Sequence, residues 1–351
     1  MRFDPRQGGL TCGTCGGHQA QPEPGVLAQE QAVAEHDYAA ALAQRAGSEP
    51  AIEPVVVDCP QCGARTHFDP HVIAGTCAFC TAPLHSAYAH AERLIRPQAV
   101  LPFRLDEAMA RRAFRAWIDS RWFAPNALRE AVRQPEGLRG VYLPAWSFDA
   151  RSDTVYAGDR GTRRVVVESG TDGQGRVVTK QRTVVDWARV RGTVRADFDD
   201  VVVAASASLP AQCEAVLGTV PVPLLQPYDP ALLAGFGVEV YQVGLEAAFD
   251  AARDRVMLPG IREAVRRDIG GDEQRIVQIS PRFSEIRFRH LLLPVWLLHY
   301  RWGDQLKQVV VNGHSGAVVG DRPWSWWKVG SAVALALGSL ALLAWWLMQP
   351  A

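Results

Sequence analysis

The cysteines are the residues of this chain whose type and spacing most clearly predict chemistry. Six of the seven lie in three Cys-x-x-Cys pairs within the first 80 residues. Two of these pairs, Cys59 with Cys62 and Cys77 with Cys80, are separated by fourteen residues. Each pair folds a tight turn that aims two thiolates at one point, and two such turns complete a tetrahedral site with Zn–S bonds of about 2.3 Å. We therefore predict a zinc ribbon over residues 55–96, in which these four cysteines bind one structural Zn²⁺.

A shell of four thiolates favours a structural ion because it leaves no coordination position for water. A redox dithiol is the alternative, and two pairs at ribbon spacing make it the weaker interpretation. Gly63 supplies a permissive backbone after the first knuckle, whereas Thr81 replaces the glycine that is usual after the second. The remaining cysteine, Cys213, is expected to be a small core residue. Four nearby histidines are expected to lie on the surface: His67, His71, His85 and His90.

The first cysteine pair belongs to an internal repeat. Phe3-Asp4-Pro5 precedes Cys12-Gly-Thr-Cys15 by the same offset at which Phe68-Asp69-Pro70 precedes the pair at Cys77. Residues 1–16 are therefore predicted to be the remnant second half of another ribbon, whose first knuckle would fall before Met1, so that the chain is truncated. Two cysteines cannot close a zinc site, so Cys12 and Cys15 are a possible incomplete second site. His18, His36 or a second protomer would have to complete it.

Composition limits the class of protein. With 351 residues and 48% hydrophobic content the chain can build real cores. Lys plus Arg equals Asp plus Glu at 37 each, so no global field draws the protein to nucleic acid. The polar N-terminus lacks the apolar core of an export signal, which predicts that the bulk of the chain stays in the cytosol. Paired cysteines in that reducing compartment indicate metal binding rather than disulfides.

The elements that must position the ribbon begin with a linker over residues 17–54, around one short helix that Asp37 caps. An α+β domain is predicted over residues 97–322. Asp106 is expected to cap its first helix, whose apolar face carries Ala110, Phe114, Trp117 and Ile118. Pro125-Asn126 is expected to start a second helix that runs through Val132. A later helix from Leu245 is expected to be interrupted at Pro259-Gly260 and to continue to Gly270.

Strand signals dominate the rest of this domain. Residues 163–168 and 176–185 are expected to form a hairpin around the glycine-rich loop 170–175. An Asn312-Gly313 turn is expected to join the last two strands. The other predicted strands of this antiparallel sheet are 140–150, 200–205, 286–302, 306–311 and 317–319.

A second internal repeat lies in two of these strands. Val141-Tyr-Leu-Pro-Ala-Trp146 and Leu291-Leu-Leu-Pro-Val-Trp296 share one pattern, so two related β units are expected to pair within the domain. A proline in each strand implies an edge or a bulge. Trp146 and Trp296 are interpreted as core anchors rather than as residues that stack on a ligand.

The C-terminal residues 323–351 are interpreted as a membrane anchor. Val329 to Met348 runs twenty residues without a charge, about the length that spans a hydrocarbon core. Tryptophans flank both ends, and Arg322 and Lys328 precede the stretch. We therefore predict one C-terminal transmembrane helix over residues 329–348. This anchor predicts that the protein is located in the inner (cytoplasmic) membrane, crosses it once, and has its large N-terminal part in the cytosol.

The sequence resembles a bacterial family of membrane-anchored, transcription-factor-IIB-type zinc-ribbon proteins, whose members often carry the label of primosomal protein N-prime or superfamily II helicase. The resemblance covers nearly all the chain and implies two ribbons, but no catalytic residues. Besides the cysteines it rests on these motifs: Glu35-His-Asp-Tyr38, Trp122-Phe-Ala-Pro-Asn126, Gly140-Val-Tyr-Leu-Pro-Ala-Trp146, Phe198-Asp-Asp-Val201, Pro227-Tyr-Asp-Pro230 through Gly235, Asp268-Ile-Gly-Gly-Asp-Glu273, Leu293-Pro-Val-Trp296 and Pro323-Trp-Ser-Trp-Trp-Lys328.

The helicase label conflicts with the residues themselves. A helicase motor needs a lysine after glycine in a P-loop to reach the β and γ phosphates. The lysines of this chain are Lys180, Lys307 and Lys328, and none follows a glycine. The sequence therefore predicts that the protein is not an ATP-driven motor of that type.

The function predicted from the sequence is a membrane-tethered zinc-ribbon protein that acts as a non-catalytic binding or scaffold module for a protein partner. Nucleic-acid binding through the ribbon is the alternative, and it is not favoured because residues 55–96 hold as many acidic residues as arginines. An enzyme is the third possibility. Its candidate side chains form no recognisable catalytic motif by spacing: Asp199, Asp200, Asp229, Asp272, Glu273, His290, His299 and His314.

Overall fold

A computed structural model describes most of the chain: residues 1–43, 51–52, 54–68, 74–92, 94–121, 138–171, 173, 177–209, 211–302, 305–320 and 326–347. The N-terminal residues form a small antiparallel sheet of three strands, β1 (Arg2–Asp4), β2 (Gly9–Thr11) and β3 (His18–Ala20). Helix α1 (Val26–Val33), strand β4 (His36–Asp37) and helix α2 (Tyr38–Ala43) follow. The Asp37 carboxylate accepts from the Ala40 N–H at 2.7 Å, which confirms the predicted cap.

The cysteine-containing segment is built from short strands. They are β5 (Ala51–Ile52), β6 (Val55–Asp58), β7 (Arg65–His67), β8 (Ala74–Thr76), β9 (Pro83–His85), β10 (Ala89–Ala91) and β11 (Leu94–Ile95), with a 3₁₀ turn at Ser86–Tyr88. Strand β6 lies between β10 and β7, while β8 and β9 form a separate hairpin. Each cysteine pair therefore lies in the turn between two paired strands.

The remaining elements surround one large sheet. The strands are β12 (Ala99–Val100), β13 (Arg139–Thr171), β14 (Val177–Ala204), β15 (Gln226–Pro227), β16 (Gly237–Val238), β17 (Glu273–Trp302), β18 (Gln305–Asn312) and β19 (Val318–Gly320). The helices are α3 (Glu107–Asp119), α4 (Pro230–Leu233), α5 (Leu245–Ala252), α6 (Leu258–Ile269) and α7 (Trp326–Leu347), with 3₁₀ turns at Ala211–Val216 and Val222–Leu224. The order along the sheet is β14-β13-β17-β12-β15, and β18 also pairs with β17.

Three strands of this sheet are far longer than the sequence suggested. Strands β13, β14 and β17 contain 33, 28 and 30 residues, whereas a typical strand has about five or six. At about 3.3 Å per residue, β13 extends roughly 100 Å. The predicted hairpin is confirmed, since Arg163 pairs with Val185 and Thr171 with Val177. Separate strands were predicted at 140–150 and 163–168, but the polar residues between them continue the same strand.

The two Leu-Pro-x-Trp repeats pair directly with each other. Leu143 lies opposite Leu293, and Gly140 lies opposite Trp296, in antiparallel register. The indole of Trp146 donates to the Val243 carbonyl at 2.9 Å, and that of Trp296 donates to the Leu105 carbonyl at 3.0 Å. Both tryptophans are fully buried, which confirms their interpretation as core anchors.

The prolines of the repeats lie where the neighbouring strand changes. The Pro144 carbonyl accepts from Ala205 at the point where β14 replaces β16 beside β13. The Pro294 carbonyl accepts from Gly313 where β18 replaces β12 beside β17. Each proline therefore lies at the point where one partner strand ends and the next begins. At that point no neighbouring strand would accept a hydrogen bond from the N–H that proline lacks.

Helix α3 agrees with its prediction, whereas the interruption at Pro259 was wrong. The Asp106 side chain accepts from the Met109 N–H, and Ala110, Phe114 and Ile118 are buried. From α5 the chain passes through a π-helical turn at Arg253–Met257 into α6 without a break. The Leu258 N–H bonds to the Arg253 carbonyl five residues back, so Pro259 enters in the first turn of α6, where its missing N–H is tolerated.

The predicted membrane anchor was wrong. A helix crosses a bilayer when about 20 consecutive residues are apolar enough to fill its hydrocarbon core. Among the residues that the structure describes, no helix combines the length and the apolar character that a membrane crossing needs. The transmembrane helix predicted at residues 329–348, the fold class that included it, and the single-pass inner-membrane location are corrected accordingly. The second predicted helix, from Pro125 to Val132, lies outside the described residues.

Candidate metal centre

The four predicted cysteines converge in the structure. The Sγ atoms of Cys59 and Cys80 lie 3.4 Å apart, and those of Cys62 and Cys77 lie 3.7 Å apart. All four sulfur atoms lie within 4.8 Å of one another. A tetrahedron with metal–sulfur bonds of about 2.3 Å has edges of about 3.8 Å, so the cluster could hold one metal ion.

The backbone of the two knuckles explains this convergence. In the first knuckle the Cys59 N–H bonds to the Ala64 carbonyl at 2.8 Å, and the Gly63 N–H bonds to the Cys59 carbonyl at 2.9 Å. The second knuckle repeats both bonds, from Cys77 to Ala82 at 2.8 Å and from Thr81 to Cys77 at 3.1 Å. The fifth residue of each turn has a positive φ, 74° at Gly63 and 63° at Thr81. The turns are therefore equivalent, and Thr81 adopts a conformation that is unfavourable for a β-branched residue.

A third turn of the same geometry lies at the first cysteine pair. The Cys12 N–H bonds to the Gly17 carbonyl at 2.8 Å, the Gly16 N–H bonds to the Cys12 carbonyl at 3.0 Å, and Gly16 has a φ of 70°. Within the described residues, no two further His, Cys, Asp or Glu ligand atoms converge with this pair. His36 lies instead on β4, where it packs against Phe288.

A fourth turn of this kind contains no cysteine, and it was not predicted from the sequence. The Asn312 N–H bonds to the Ala317 carbonyl, and the Gly316 N–H bonds to the Asn312 carbonyl. The Asn312 side chain accepts from the N–H groups of His314 and Ser315, both at 2.8 Å. The positive φ falls on Gly316 and not on Gly313, so the predicted two-residue Asn-Gly turn was wrong. The sequence feature that could have predicted this turn is the spacing Asn-x-x-Ser-Gly, which matches the Cys-x-x-Cys-Gly of the first two cysteine turns.

The cysteine turns are fixed to the long sheet by hydrogen bonds. The Arg139 guanidinium on β13 donates to the carbonyl oxygens of Thr76 and Cys77, at 3.0 and 3.4 Å. The Gln242 amide donates to the Gly63 carbonyl at 2.9 Å. Burial supports the same contact, because Cys59 and Cys77 share one apolar cluster with sheet residues such as Leu143 and Leu297. Strand β13 thus positions the second knuckle, and the loop after β16 positions the first.

Without a metal, the electrostatics of the cluster oppose a thiolate at two of the four cysteines, whereas the pKa of Cys59 is lowered because, against burial, the N–H groups of Cys62 and Gln61 donate hydrogen bonds to its sulfur. Burial raises the pKa of Cys77 to about 11, against the hydrogen bonds from the N–H groups of Phe79 and Cys80. Burial likewise raises the pKa of Cys62. A divalent cation would reverse this balance, because it stabilises deprotonated sulfur. The arrangement is therefore suited to a metal more than to a free reactive dithiol.

The positive φ at the fifth position of each turn leads to a stability prediction. Thr81→Gly should stabilise the metal-loaded protein by about 1 kcal/mol, because glycine adopts this conformation without steric cost. Gly63→Ala should destabilise it by a similar amount, since no neighbouring atom would contact the added Cβ and only the backbone is strained. Thermal unfolding of the metal-loaded protein measures both changes.

Gly13→Ala is the matched control for that pair, because Gly13 is equally open and lacks a positive φ. We expect it to change the free energy of unfolding by less than about 0.5 kcal/mol. Equal effects of Gly13→Ala and Gly63→Ala would contradict the conformational explanation.

The candidate catalytic side chains are spread over several elements, since Asp199 and Asp200 lie on β14 and Glu273, His290 and His299 lie on β17. Asp229 caps α4, and Asp272 accepts the Arg163 N–H in the turn before β17. His299 is buried, whereas the His314 ring lies 3.5 Å from the Pro102 carbonyl. Of the histidines expected on the surface, His67, His85 and His90 are exposed, while His71 lies outside the described residues. The side chain of Cys213 is likewise not among the described ones.

Two motifs of the resemblance meet in an ion cluster that sequence reasoning did not predict. The buried Arg289 guanidinium contacts Glu35 and Asp200, both at 2.5 Å. Asp149 lies beside them and accepts the Asp200 N–H at 2.8 Å. Burial and the neighbouring Glu35 raise the pKa of Asp149. Local spacing could not reveal this cluster, because 254 residues separate Glu35 from Arg289.

Comparison with known proteins gives one informative relative. The uncharacterized protein YdjG of Bacillus subtilis (strain 168) is 26% identical over 262 residues, which cover 71% of this chain and 72% of that protein. No protein-family model matches the chain. No solved structure matches it either.

Proposed function

We propose that this protein is a non-catalytic binding module for a protein partner, with a ribbon that one structural Zn²⁺ holds together. The observation that carries the proposal is the convergence of four cysteine sulfurs on one point. Four protein thiolates would saturate a tetrahedral ion, so the site would supply folding energy rather than an open position for substrate. We also infer that the chain is related to the transcription-factor-IIB-type zinc-ribbon proteins that it resembles.

Zinc is favoured over other metals by the donor set. Thiolate sulfur binds Zn²⁺ in tetrahedral sites, whereas Mg²⁺ and Ca²⁺ prefer oxygen ligands. The two cysteine pairs also lie in turns held by backbone hydrogen bonds, which direct the two sulfurs of each pair toward one point.

The long hairpin supports a role in binding a partner. Strand β17 begins at Glu273 opposite Gly161, so residues 162–171 and 177–186 continue beyond it as two strands alone. An isolated two-stranded hairpin is marginally stable in water. Val165, Val167 and Val177 are 60%, 57% and 78% exposed on one face of this hairpin tip. Because these valines share one face of the hairpin, they favour a contact surface for another protein over singly scattered exposed apolar residues.

A metal measurement combined with partner capture tests the proposal. The purified protein should contain about one zinc per chain by elemental analysis. Val165→Glu with Val167→Glu should abolish capture of the specific partner by the full-length chain, because charge on the apolar tip face is costly to bury. Val277→Glu, at a valine 70% exposed away from the tip, is the matched control and should leave capture unchanged.

Two results would contradict the proposal. A metal other than zinc at full occupancy would exclude the structural zinc. Capture of the same proteins by wild type and by the tip variant would exclude the hairpin as the binding surface.

Nucleic-acid binding is a second candidate, favoured by one feature of the long sheet. Helix α6 covers one face with Tyr156 and Val194, while the opposite face is exposed. Four arginines on that exposed face form no ion pair with any described residue: Arg189, Arg191, Arg275 and Arg282. Strong salt dependence of oligonucleotide binding, reduced by Arg189→Gln with Arg191→Gln, would favour this candidate over the protein-binding module.

A further inference from the structure

A small cavity lies between the ribbon and the long sheet. Its volume of about 50 Å³ is several times the volume that one water needs. Pro54, just before the ribbon, together with His67 and Ile95 of the ribbon strands β7 and β11, lines one side, and Glu239 and His290 line the side of the sheet. It is separate from the cysteine cluster, and no part of the proposed function uses it.

Glu239 is the first unusual group in this cavity. It is 2% exposed, and neither carboxylate oxygen has a hydrogen-bond partner among the described residues. Burial raises the pKa of Glu239 to about 7. The hydroxyl groups of Ser208 and Ser206 lie close enough to oppose this shift, but not in hydrogen-bonding geometry with the carboxylate. Leaving a buried carboxylate without a partner costs free energy, so this arrangement favours a group that would compensate it.

His290 is the second unusual group. It is 3% exposed, and its ring stacks on Trp146 with the centroids 4.5 Å apart. Nδ1 lies 3.1 Å from the Ile95 carbonyl, which can only accept, so Nδ1 carries the hydrogen. Burial lowers the pKa of His290 to about 4, which keeps the ring neutral. Its Nε2 is therefore an acceptor, and it has no partner among the described residues.

The unpartnered atoms of the cavity thus share one chemistry. Both Glu239 oxygens and the His290 Nε2 are acceptors, and one of the two groups bears a negative charge when ionised. The nearby Arg96 guanidinium lies over the Tyr228 ring, 5.1 Å from its centroid, and forms no ion pair with Glu239. Among the described residues, no donor is in hydrogen-bonding geometry with these three acceptor atoms, and no cationic side chain forms an ion pair with Glu239.

We propose that this cavity binds a compact ammonium group, such as the head group of a primary amine, with Glu239 as its counter-charge and His290 Nε2 as a hydrogen-bond acceptor. A primary ammonium offers three N–H donors and one positive charge within a small volume. A metal ion is disfavoured, because the described residues bring no third His, Cys, Asp or Glu ligand atom to these two groups. Water alone would satisfy hydrogen bonds but would leave the charge of Glu239 uncompensated.

The test is a calorimetric titration of the full-length, metal-loaded protein with methylammonium chloride at pH 8. Wild type should show saturable binding. Glu239→Gln should weaken it at least tenfold, because a charge-assisted hydrogen bond contributes about 1.5–3 kcal/mol. Tetramethylammonium carries the same charge but no N–H donor, so it should not bind. Glu263→Gln changes an exposed carboxylate on α6 and should leave methylammonium binding unchanged.

Other results would overturn the inference. Equal binding by wild type and Glu239→Gln would exclude the carboxylate as the counter-charge. Binding of Zn²⁺ or Mn²⁺ that depends on Glu239, without methylammonium binding, would make the cavity a metal site. Absence of saturable binding would leave it a cavity for water. Unchanged zinc content and circular dichroism of Glu239→Gln would ensure that lost binding does not reflect lost folding.

Discussion

Cys62→Ser should release the metal and unfold the ribbon of residues 55–96, while the long sheet stays folded. The ribbon consists of strands of two to four residues, so it has little apolar core of its own. Structural zinc contributes apparent binding free energies of about 10–16 kcal/mol to small modules, and that contribution is lost with one ligand. Elemental analysis should show less than about a tenth of the wild-type zinc. Hydrogen exchange should show lost protection in β6 to β9.

The sheet should survive this change because its other apolar contacts do not involve the ribbon. Phe114 and Ile118 of α3 pack with Trp296 in one cluster, and Ile261 and Val265 of α6 pack with Tyr156 in another. Cys15→Ser is the matched control, since Cys15 lies outside the four-cysteine cluster and its loss should leave one zinc per chain. Full zinc content in Cys62→Ser would contradict the site. Loss of zinc in both variants would indicate a metal shared with the first pair.

The parts of the fold that could be predicted from the sequence are those that depend on neighbours along the chain. The spacing of Cys59 to Cys80 predicted a cluster because each turn is set by six consecutive residues. Asp37 and Asp106 predicted helix starts because a cap bonds to N–H groups within one turn. The Leu-Pro-x-Trp repeats predicted paired β units, although their register around Leu143 and Leu293 was visible only in the structure.

The parts that could not be predicted depend on distant residues. The length of β13 is set by two partner strands, one of which begins more than 100 residues later, at Glu273. The burial of Glu239 results from packing between the ribbon and the sheet. The helix was wrongly predicted to be interrupted at Pro259, because the π-helical turn that accommodates this proline has no simple sequence signature. The prediction at residues 329–348 was wrong because an uncharged run of apolar residues was interpreted as a membrane-spanning helix.

The largest effect expected outside the ribbon comes from Arg289→Ala. Arg289 is 6% exposed, and its guanidinium contacts Glu35 and Asp200 and donates to the Val33 carbonyl at 2.9 Å. Removing it leaves two largely buried carboxylates, with Asp149 beside them, without a compensating charge. Loss of one partner of a buried ion pair costs about 3–5 kcal/mol. Chemical denaturation at pH 7 should therefore show the free energy of unfolding reduced by that amount.

Arg287→Ala separates this effect from a general loss of positive charge on β17. Arg287 also contacts Glu35, at 3.4 Å, but its side chain is 59% exposed. Water screens such a pair, so its loss should cost less than about 1 kcal/mol. Because the two arginines share a strand and a partner, the difference between the variants measures burial rather than charge. If the two variants lost equal stability, the buried cluster would not be what fastens the segment around Glu35 to the sheet.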